Sequence, residues 1–187
     1  IVRGTTKFLY SNLNNAEATG SQGLKAFNSD GFTTGSSGDT GQNNQTYVAW
    51  SWDGGSSTAS NTDGSITSNV RANTTAGFSI VTATQGSGNS TWSHGLNAKP
   101  DLIVMKARDQ AFGWFVSHSA LDNQSTKFLR LHSPNGVATN ANWFASTEPT
   151  SSVITTKAGG MWSQGDDFVA YCWTAVEGYS AFTSHTV

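Results

Sequence analysis

One strand-like phrase occurs twice in this chain and constrains its fold more than any other feature. The string TYVAWSW occupies Thr46–Trp52, and the similar string DFVAYCW occupies Asp167–Trp173. Successive side chains of a strand point to opposite faces of a sheet. The second string then places valine, tyrosine and tryptophan on one face and phenylalanine, alanine and cysteine on the other. Both faces are apolar, which predicts a central strand that is covered on both sides or lies near an interface.

Other strings recur at nearly the same spacing. The string TTKFLYSN around Thr6 matches STKFLRLH around Thr126 at a distance of 120 residues, and AEAT at 16–19 matches GVAT at 136–139 at the same distance. Tyr47 and Phe168 are 121 residues apart. Matches in one order and nearly one register indicate an internal repeat.

A later match has a shorter spacing. The string GFSIVTAT begins at Gly77, and GYSAFTSH begins at Gly178, 101 residues further on. The difference predicts an insertion of about 20 residues after Trp52, where turn-forming residues are frequent.

These spacings predict a modular chain of β domains. We expect residues 1–52 to be the closing part of a first module and residues 53–76 to be a turn-rich connector. Residues 77–187 would contain a second β-sandwich module and the start of a following strand. The chain begins at Ile1 without a methionine or a signal peptide, so we expect it to be a piece of a longer protein.

The predicted fold class is all-β. Short β-branched or aromatic segments bounded by Gly, Asn, Asp or Ser occur throughout, and the sequence shows no convincing helical period. Glycine is frequent (20 residues) and proline is rare (3 residues), as is typical of a β protein with many turns. We expect antiparallel strands in a two-sheet sandwich of jelly-roll type, similar to lectins.

The composition argues against two classes of partner. The net charge is −2 and no Lys/Arg cluster is present, whereas duplex nucleic acid binding needs a basic patch. No apolar run approaches the length of a membrane span.

The candidate reactive groups favour structural roles. Cys172 lies between aromatic residues in an apolar strand and matches Ser51 in the repeat, so we expect a buried structural thiol and no catalysis. The four histidines lack a metal-ligand spacing, which predicts no metal site and no cofactor. Most of the acidic residues precede glycines or lie in turns, so a paired-carboxylate glycosidase is disfavoured.

Three tryptophans are the candidate ligand-binding residues: Trp92, Trp143 and Trp162 lie in loop-like stretches flanked by Asn, Gln and Ser. Indole rings stack on the apolar faces of sugars while amides bind the hydroxyls, so these residues could form a glycan site. The alternative is that they pack over one end of the sandwich or at an interface.

A longer series of strings resembles a known family. YVAWSWDGG, NTDGSITSNVRANTTAGFSIV, HGLNAKPDLIVMKAR, VSHSAL, TKFLRL, EPTSSVITT and FVAYCW…VEGYSAF follow one another in this order. They resemble a module of unknown function that is repeated in tail, fibre and other structural proteins of marine bacteriophages and is often grouped with concanavalin-like jelly rolls. The resemblance covers nearly the whole chain and contains no catalytic motif.

The resemblance implies a non-enzymatic structural or adhesive module at the virion surface, used for host attachment or assembly. The implied partners are a host surface glycan, other virion proteins and, by the resemblance only, further copies in a trimer. Three alternatives stay open: a free carbohydrate-binding module, a surface-polysaccharide depolymerase and a purely structural capsid decoration.

Overall fold

A computed structural model describes residues 2–185, and this part of the chain contains strands and turns but no helix. The strands, numbered in chain order, are β1 (Lys7–Phe8), β2 (Ala18–Thr19), β3 (Leu24–Phe27), β4 (Phe32–Thr34), β5 (Ala59–Asn61), β6 (Ser68–Asn73), β7 (Phe78–Thr84), β8 (Asn89–Ser93), β9 (Leu102–Ala107), β10 (Phe115–His118), β11 (Lys127–Arg130), β12 (Ala138–Thr139), β13 (Val153–Lys157) and β14 (Asp167–Trp173).

Eight of these strands form one antiparallel sheet in the order β12-β11-β10-β9-β14-β7-β6-β5. Strand β14 lies near the middle and pairs with β7 along its whole length and with β9 from Phe168 to Trp173. The all-β class predicted from the sequence is confirmed, and the packing of several antiparallel sheets is consistent with a β-sandwich. The predicted central position of the DFVAYCW strand is also confirmed.

The two-stranded antiparallel sheet of β8 and β13 covers one face of the large sheet. Phe168 and Met105 of the large sheet and Trp92 and Ile154 of the two-stranded sheet are all fully buried in this layer. The rings of Trp92 and Phe168 lie 5.3 Å apart. This interface is the main hydrophobic core, since apolar side chains from both sheets are removed from water here.

Residues 2–52 cover part of the opposite face of the same sheet. The Trp114 Nε1–H donates to the carbonyl of Tyr10 over 2.8 Å, and the Glu17 N–H donates to the carbonyl of Arg108 over 2.6 Å. Trp52 packs on Trp173 of β14 with ring centroids 5.7 Å apart. The stretch predicted as the end of a first module therefore lies against the sheet that the later residues form.

Residues 53–76, predicted as a connector, contain two strands, whereas residues 46–52, the first copy of the repeated phrase, contain none. Residues 53–76 contribute β5 and β6 to the large sheet. Thr46–Trp52 forms no strand, although its sequence is close to that of β14. Within residues 2–185 no neighbouring strand pairs with it, and a strand without a pairing partner has no ladder of hydrogen bonds.

Two hairpins 120 residues apart have the same register. Lys7 pairs with Thr19 in β1–β2, and Lys127 pairs with Thr139 in β11–β12. The backbone bond that follows each hairpin is also equivalent: Gly20 N–H donates to the Thr6 carbonyl and Asn140 N–H to the Thr126 carbonyl, both over 2.8 Å.

Two buried polar groups have environments that suppress their charge. Cys172 is fully buried, as predicted for a structural thiol, and desolvation raises its pKa to about 12. His94 is fully buried beside β8; its Nε2–H donates to the Thr150 carbonyl and its Nδ1 accepts from the Leu96 N–H. Burial lowers the pKa of His94 to about 4, because a charged imidazole would lose its hydration there; the hydrogen bond to the Thr150 carbonyl opposes this shift.

Acidification is expected to destabilise the fold through His94. Its pKa rises from about 4 in the folded chain to an ordinary 6.5 in the unfolded chain, so the unfolded state binds more protons between these values. The free energy of unfolding should therefore fall by about 3 kcal/mol as the pH drops from 6.5 to 4. Urea denaturation at several pH values measures this slope.

The variant His94→Gln should have a shallower slope in this pH range than the parent. His185→Gln is the matched control, since His185 is exposed, and it should retain the parent's slope. Equal slopes for the parent and His94→Gln would contradict the assignment.

Candidate functional site

The three tryptophans proposed from the sequence as sugar contacts are core residues. Trp92 and Trp143 have no exposed surface and Trp162 is 2% exposed. Trp143 stacks on Phe144 at 4.6 Å, and Trp162 stacks on Phe168 at 5.3 Å. A dissolved sugar cannot reach rings that are covered by other rings, so the packing alternative is correct for this structure.

The exposed tryptophans belong instead to the phrase that resembles a buried strand. Trp50 is 79% exposed and Trp52 is 54% exposed. They border a cavity of about 490 Å³ that we call the aromatic groove. Its walls come from the β3–β4 hairpin, the Trp50–Trp52 stretch and the face of β7 and β14 opposite the core; they comprise Phe27, Gly31, Phe32, Trp50, Ser51, Trp52, Phe78, Ile80, Tyr171 and Trp173.

Ring contacts hold the floor of the aromatic groove. Phe78 of β7 and Trp173 of β14 are directly opposite in the sheet, and their rings lie 5.0 Å apart. The Trp52 ring packs against both of these rings, with centroid distances of 6.1 Å to Phe78 and 5.7 Å to Trp173. Aromatic pairs at these distances stabilise one another beyond simple burial. The floor is therefore preformed, while the Trp50 ring is free to contact a partner.

A polar network fixes the position of Tyr171 at one end of the groove. The Arg3 Nη2 donates to the Tyr171 hydroxyl over 3.0 Å, and Arg3 also pairs with the Glu17 carboxylate at 2.5 Å. Arg108 pairs with the same carboxylate at 3.0 Å. Burial alone would raise the pKa of Glu17, but the hydrogen bonds from Arg108 and Arg3 outweigh it and lower this pKa. Glu17 is therefore ionised, and its ion pairs with Arg3 and Arg108 connect the N-terminal residues to the sheet.

A second groove of about 340 Å³ runs along the other side of the exposed phrase, between residues 47–51 and the β3–β4 hairpin. Tyr47 lies at the edge of this groove, and two hydrogen bonds fix its side chain: the hydroxyl donates to the Gly38 carbonyl and accepts from the Gln42 N–H. Val48, in contrast, is 82% exposed. Within residues 2–185 the backbone of residues 46–52 makes no hydrogen bond to another residue. The phrase is a largely apolar ribbon with unpaired backbone groups between two grooves.

Lys106 is a buried basic residue of the large sheet. It is fully buried on β9, where its ammonium donates to the carbonyls of Ala107 at 2.7 Å and Gln110 at 3.2 Å. Burial lowers its pKa to about 8, and the charge of Asp109 opposes this shift. Its donors are used by backbone carbonyls, which gives Lys106 a structural role.

Residues 2–185 contain neither a metal-binding cluster nor a membrane-spanning helix. Among residues 2–185, no group of three or more His, Cys, Asp or Glu side chains is gathered in a way that could hold a metal ion. The described residues also contain no helix long and apolar enough to span a membrane.

The sequence did not reveal the groove, because the phrase that contains Trp50 and Trp52 resembles the buried strand β14. Of the two copies of the phrase, β14 pairs with β7 and β9, whereas residues 46–52 pair with no strand among residues 2–185. A strand-like phrase without its neighbours is left with exposed side chains.

Comparison with known proteins identifies one family. A family model described as "Domain of unknown function (DUF7483)" matches residues 1–187. No curated protein and no solved structure matches the chain.

The two groove tryptophans should differ in their contribution to stability. Trp52→Ala removes ring contacts with Phe78 and Trp173, so we expect the free energy of unfolding to fall by about 2 kcal/mol. Trp50→Ala is the matched control, and it should change stability by less than about 0.5 kcal/mol because the ring is mostly exposed. Chemical denaturation measures both; a larger loss for Trp50→Ala would contradict this account of the groove.

Proposed function

The chain belongs to the DUF7483 family of domains of unknown function, and we propose that it is a non-enzymatic structural module whose aromatic groove serves attachment or assembly. We further propose that it belongs to a phage tail fibre or a similar virion surface appendage, and therefore acts outside the host cell.

The exposed ribbon beside the groove is the observation that carries the proposal. Trp50, Trp52 and Val48 expose most of their side chains within seven residues of sequence, next to Phe27 and Phe32, which are 45% and 42% exposed. Large contiguous apolar patches are uncommon on monomeric proteins and mark interaction surfaces. The ribbon lies on a framework of paired strands, which supports a role in presenting a contact surface.

Several acidic side chains are used to stabilise turns or ion pairs, which is consistent with a structural role. The Asp53 carboxylate accepts from the Gly55 N–H over 2.8 Å and from Asn73 over 2.9 Å. Asp166 accepts from the Ser163 N–H over 2.7 Å, and Glu17 is paired with two arginines. The hydrogen bonds from Arg108 and Arg3 lower the pKa of Glu17, so this carboxylate is a poor general acid.

The virion context is supported by the ordered series of strings that resembles phage structural modules. Low charge and repeated strand phrases suit an extended appendage, where repetition increases weak binding by avidity. The proposed partners are further copies of the chain, as in a trimer, and other virion proteins; a host surface glycan is the partner that the second candidate function would require.

A free carbohydrate-binding module is the second candidate. The exposed Trp50 ring is the observation that favours it, because an accessible indole can stack on the apolar face of a sugar. The groove lining is mostly aromatic, and Ser51 is its one hydroxyl-bearing side chain besides Tyr171. Glycan recognition needs several polar groups to read the hydroxyls, so this lining favours a protein partner.

Electron microscopy of phage particles tests the virion proposal. Gold-labelled antibodies against this chain should mark an appendage on particles purified from cultures that produce it. Label over the capsid shell would favour a capsid decoration, and label confined to particle-free fractions would overturn the virion assignment.

A glycan array tests the second candidate, and it is expected to show no binding that depends on the groove. If a glycan does bind, Trp50→Ala should abolish the signal while the buried-core control Phe144→Leu should retain it. Release of reducing sugar from host polysaccharide by the purified chain would contradict the non-enzymatic assignment.

A further inference from the structure

We propose that residues 46–52 of one chain accept residues 178–185 of a second copy as an added antiparallel β-strand. We call these the acceptor segment and the donor segment. The inference rests on the proposed structural function and names the partner of the exposed ribbon. It follows from a template inside the chain, in which β14 resembles the acceptor and β7 resembles the donor.

The template defines the pairing register. In the large sheet Phe78 lies opposite Trp173, and every later pair down to Thr84 and Asp167 follows in antiparallel order. The acceptor precedes β14 by 121 residues, and the donor follows β7 by 101 residues. Transferring the register places Tyr179 opposite Trp52 and Thr183 opposite Val48.

Both segments have backbone N–H and C=O groups that are available for pairing with another strand. Within residues 2–185, no backbone group of 46–52 or 181–185 makes a hydrogen bond to another residue. Both segments also expose large side chains, including Trp50 at 79% and Tyr179 at 76%. Strand addition would pair the backbone and cover these rings at the same time.

The donor begins with the same backbone conformation as β7. Gly77 precedes β7 with φ of +65°, and Gly178 precedes the donor with φ of +75°. A Cβ atom at Gly77 would lie 2.5 Å from the Thr174 carbonyl oxygen, which follows β14, whereas one at Gly178 would meet nothing within 4 Å. The residue that matches Thr174 by the repeat spacing is Asp53, so the space beside Gly178 fits the end of an acceptor segment.

The paired side chains are compatible in size. In the template, Phe78 lies opposite Trp173. The corresponding pair in the proposed contact is Tyr179 opposite Trp52, so an aromatic pair is again present at the groove. Further along the template, Val81 lies opposite Ala170. The corresponding pair is Phe182 opposite Ala49, so a larger residue again faces alanine. Neither segment carries an acidic or basic residue other than His185, so no like charges meet.

The donor must give up one local turn. This turn contains three backbone bonds: the N–H groups of Tyr179 and Ser180 donate to the Val176 carbonyl over 3.0 and 2.9 Å, and the Ser180 carbonyl accepts from the Val176 N–H over 3.3 Å. The two bonds of Ser180 would be replaced by bonds to the acceptor. The donor and acceptor are different surfaces, so the contact is heterologous and links chains into a ring or an open fibre.

Disulfide trapping in a mixture of two full-length variants tests the proposal. Val48→Cys is placed in one chain and Thr183→Cys in a second chain that carries a mass tag. In the proposed register these residues are directly opposite with Cα atoms about 4.5–5.5 Å apart, within the range of a disulfide. Mild oxidation should yield the mixed dimer as the main cross-linked species, and Cys172 should stay reduced because it is buried.

The matched control replaces Thr183→Cys by Ser184→Cys in the tagged chain. Ser184 is one residue along and points to the opposite face of a strand, so its mixed dimer should be at least tenfold less abundant. Equal yields with the two tagged chains, a dominant Val48→Cys homodimer or no cross-link at all would each overturn the proposal.

A backbone variant gives a second measurement. Ala49→Pro removes an N–H that the acceptor would use, so it should abolish cross-linking, whereas Ala49→Ser should leave the yield unchanged. Both variants should keep the parent's melting temperature, because the Ala49 N–H has no partner in the described chain. Cross-linking that survives Ala49→Pro in a folded chain would overturn strand addition.

The two proposals fail in different ways. A chain that labels virion appendages but gives no register-specific cross-link would retain the structural function and lose this partner. A chain that cross-links in register but is missing from particles would retain strand addition and lose the virion role.

Discussion

The rest of the structure depends on the need to cover both faces of β14. This strand is apolar on each side and lies between β7 and β9, so neither face can be left to water at a small cost. The two-stranded β8–β13 sheet and the buried tryptophans cover one face, and residues 2–52 cover part of the other. The aromatic groove is the portion of the second face that this cover leaves open.

Much of the main sheet was predictable because each strand carries its own local pattern. The segments that form β7, β9 and β14 are β-branched or aromatic and end at turn residues, and they are strands in the structure. The phrase at 46–52 has the same local pattern and forms no strand. Strand formation needs a neighbour to pair with, and that neighbour is not a property of the phrase itself.

The candidate site was harder to predict because the burial of a side chain depends on which distant parts of the chain pack over it. Trp143 and Trp162 occur in turn-rich sequence that usually lies at the surface, yet this stretch folds over the sheet and buries both rings. Trp50 lies in a strand-like phrase and is exposed. A correct assignment of these three rings required the sheet order, which depends on contacts between residues far apart in the chain.

The exposed phrase lacks the features by which proteins protect an unpaired strand. Lysine, proline and inward-pointing charges discourage the addition of another strand, and TYVAWSW contains none of these. Asp53, the first charge after it, is occupied in bonds to Gly55 and Asn73 and turns the chain away. A ribbon of this composition is prone to pair with any strand of matching register, and the described chain contains one such segment, at 178–185. Because that segment starts from Gly178 with the φ of the glycine that leads into β7, the same backbone geometry that builds the central sheet can join one copy to the next.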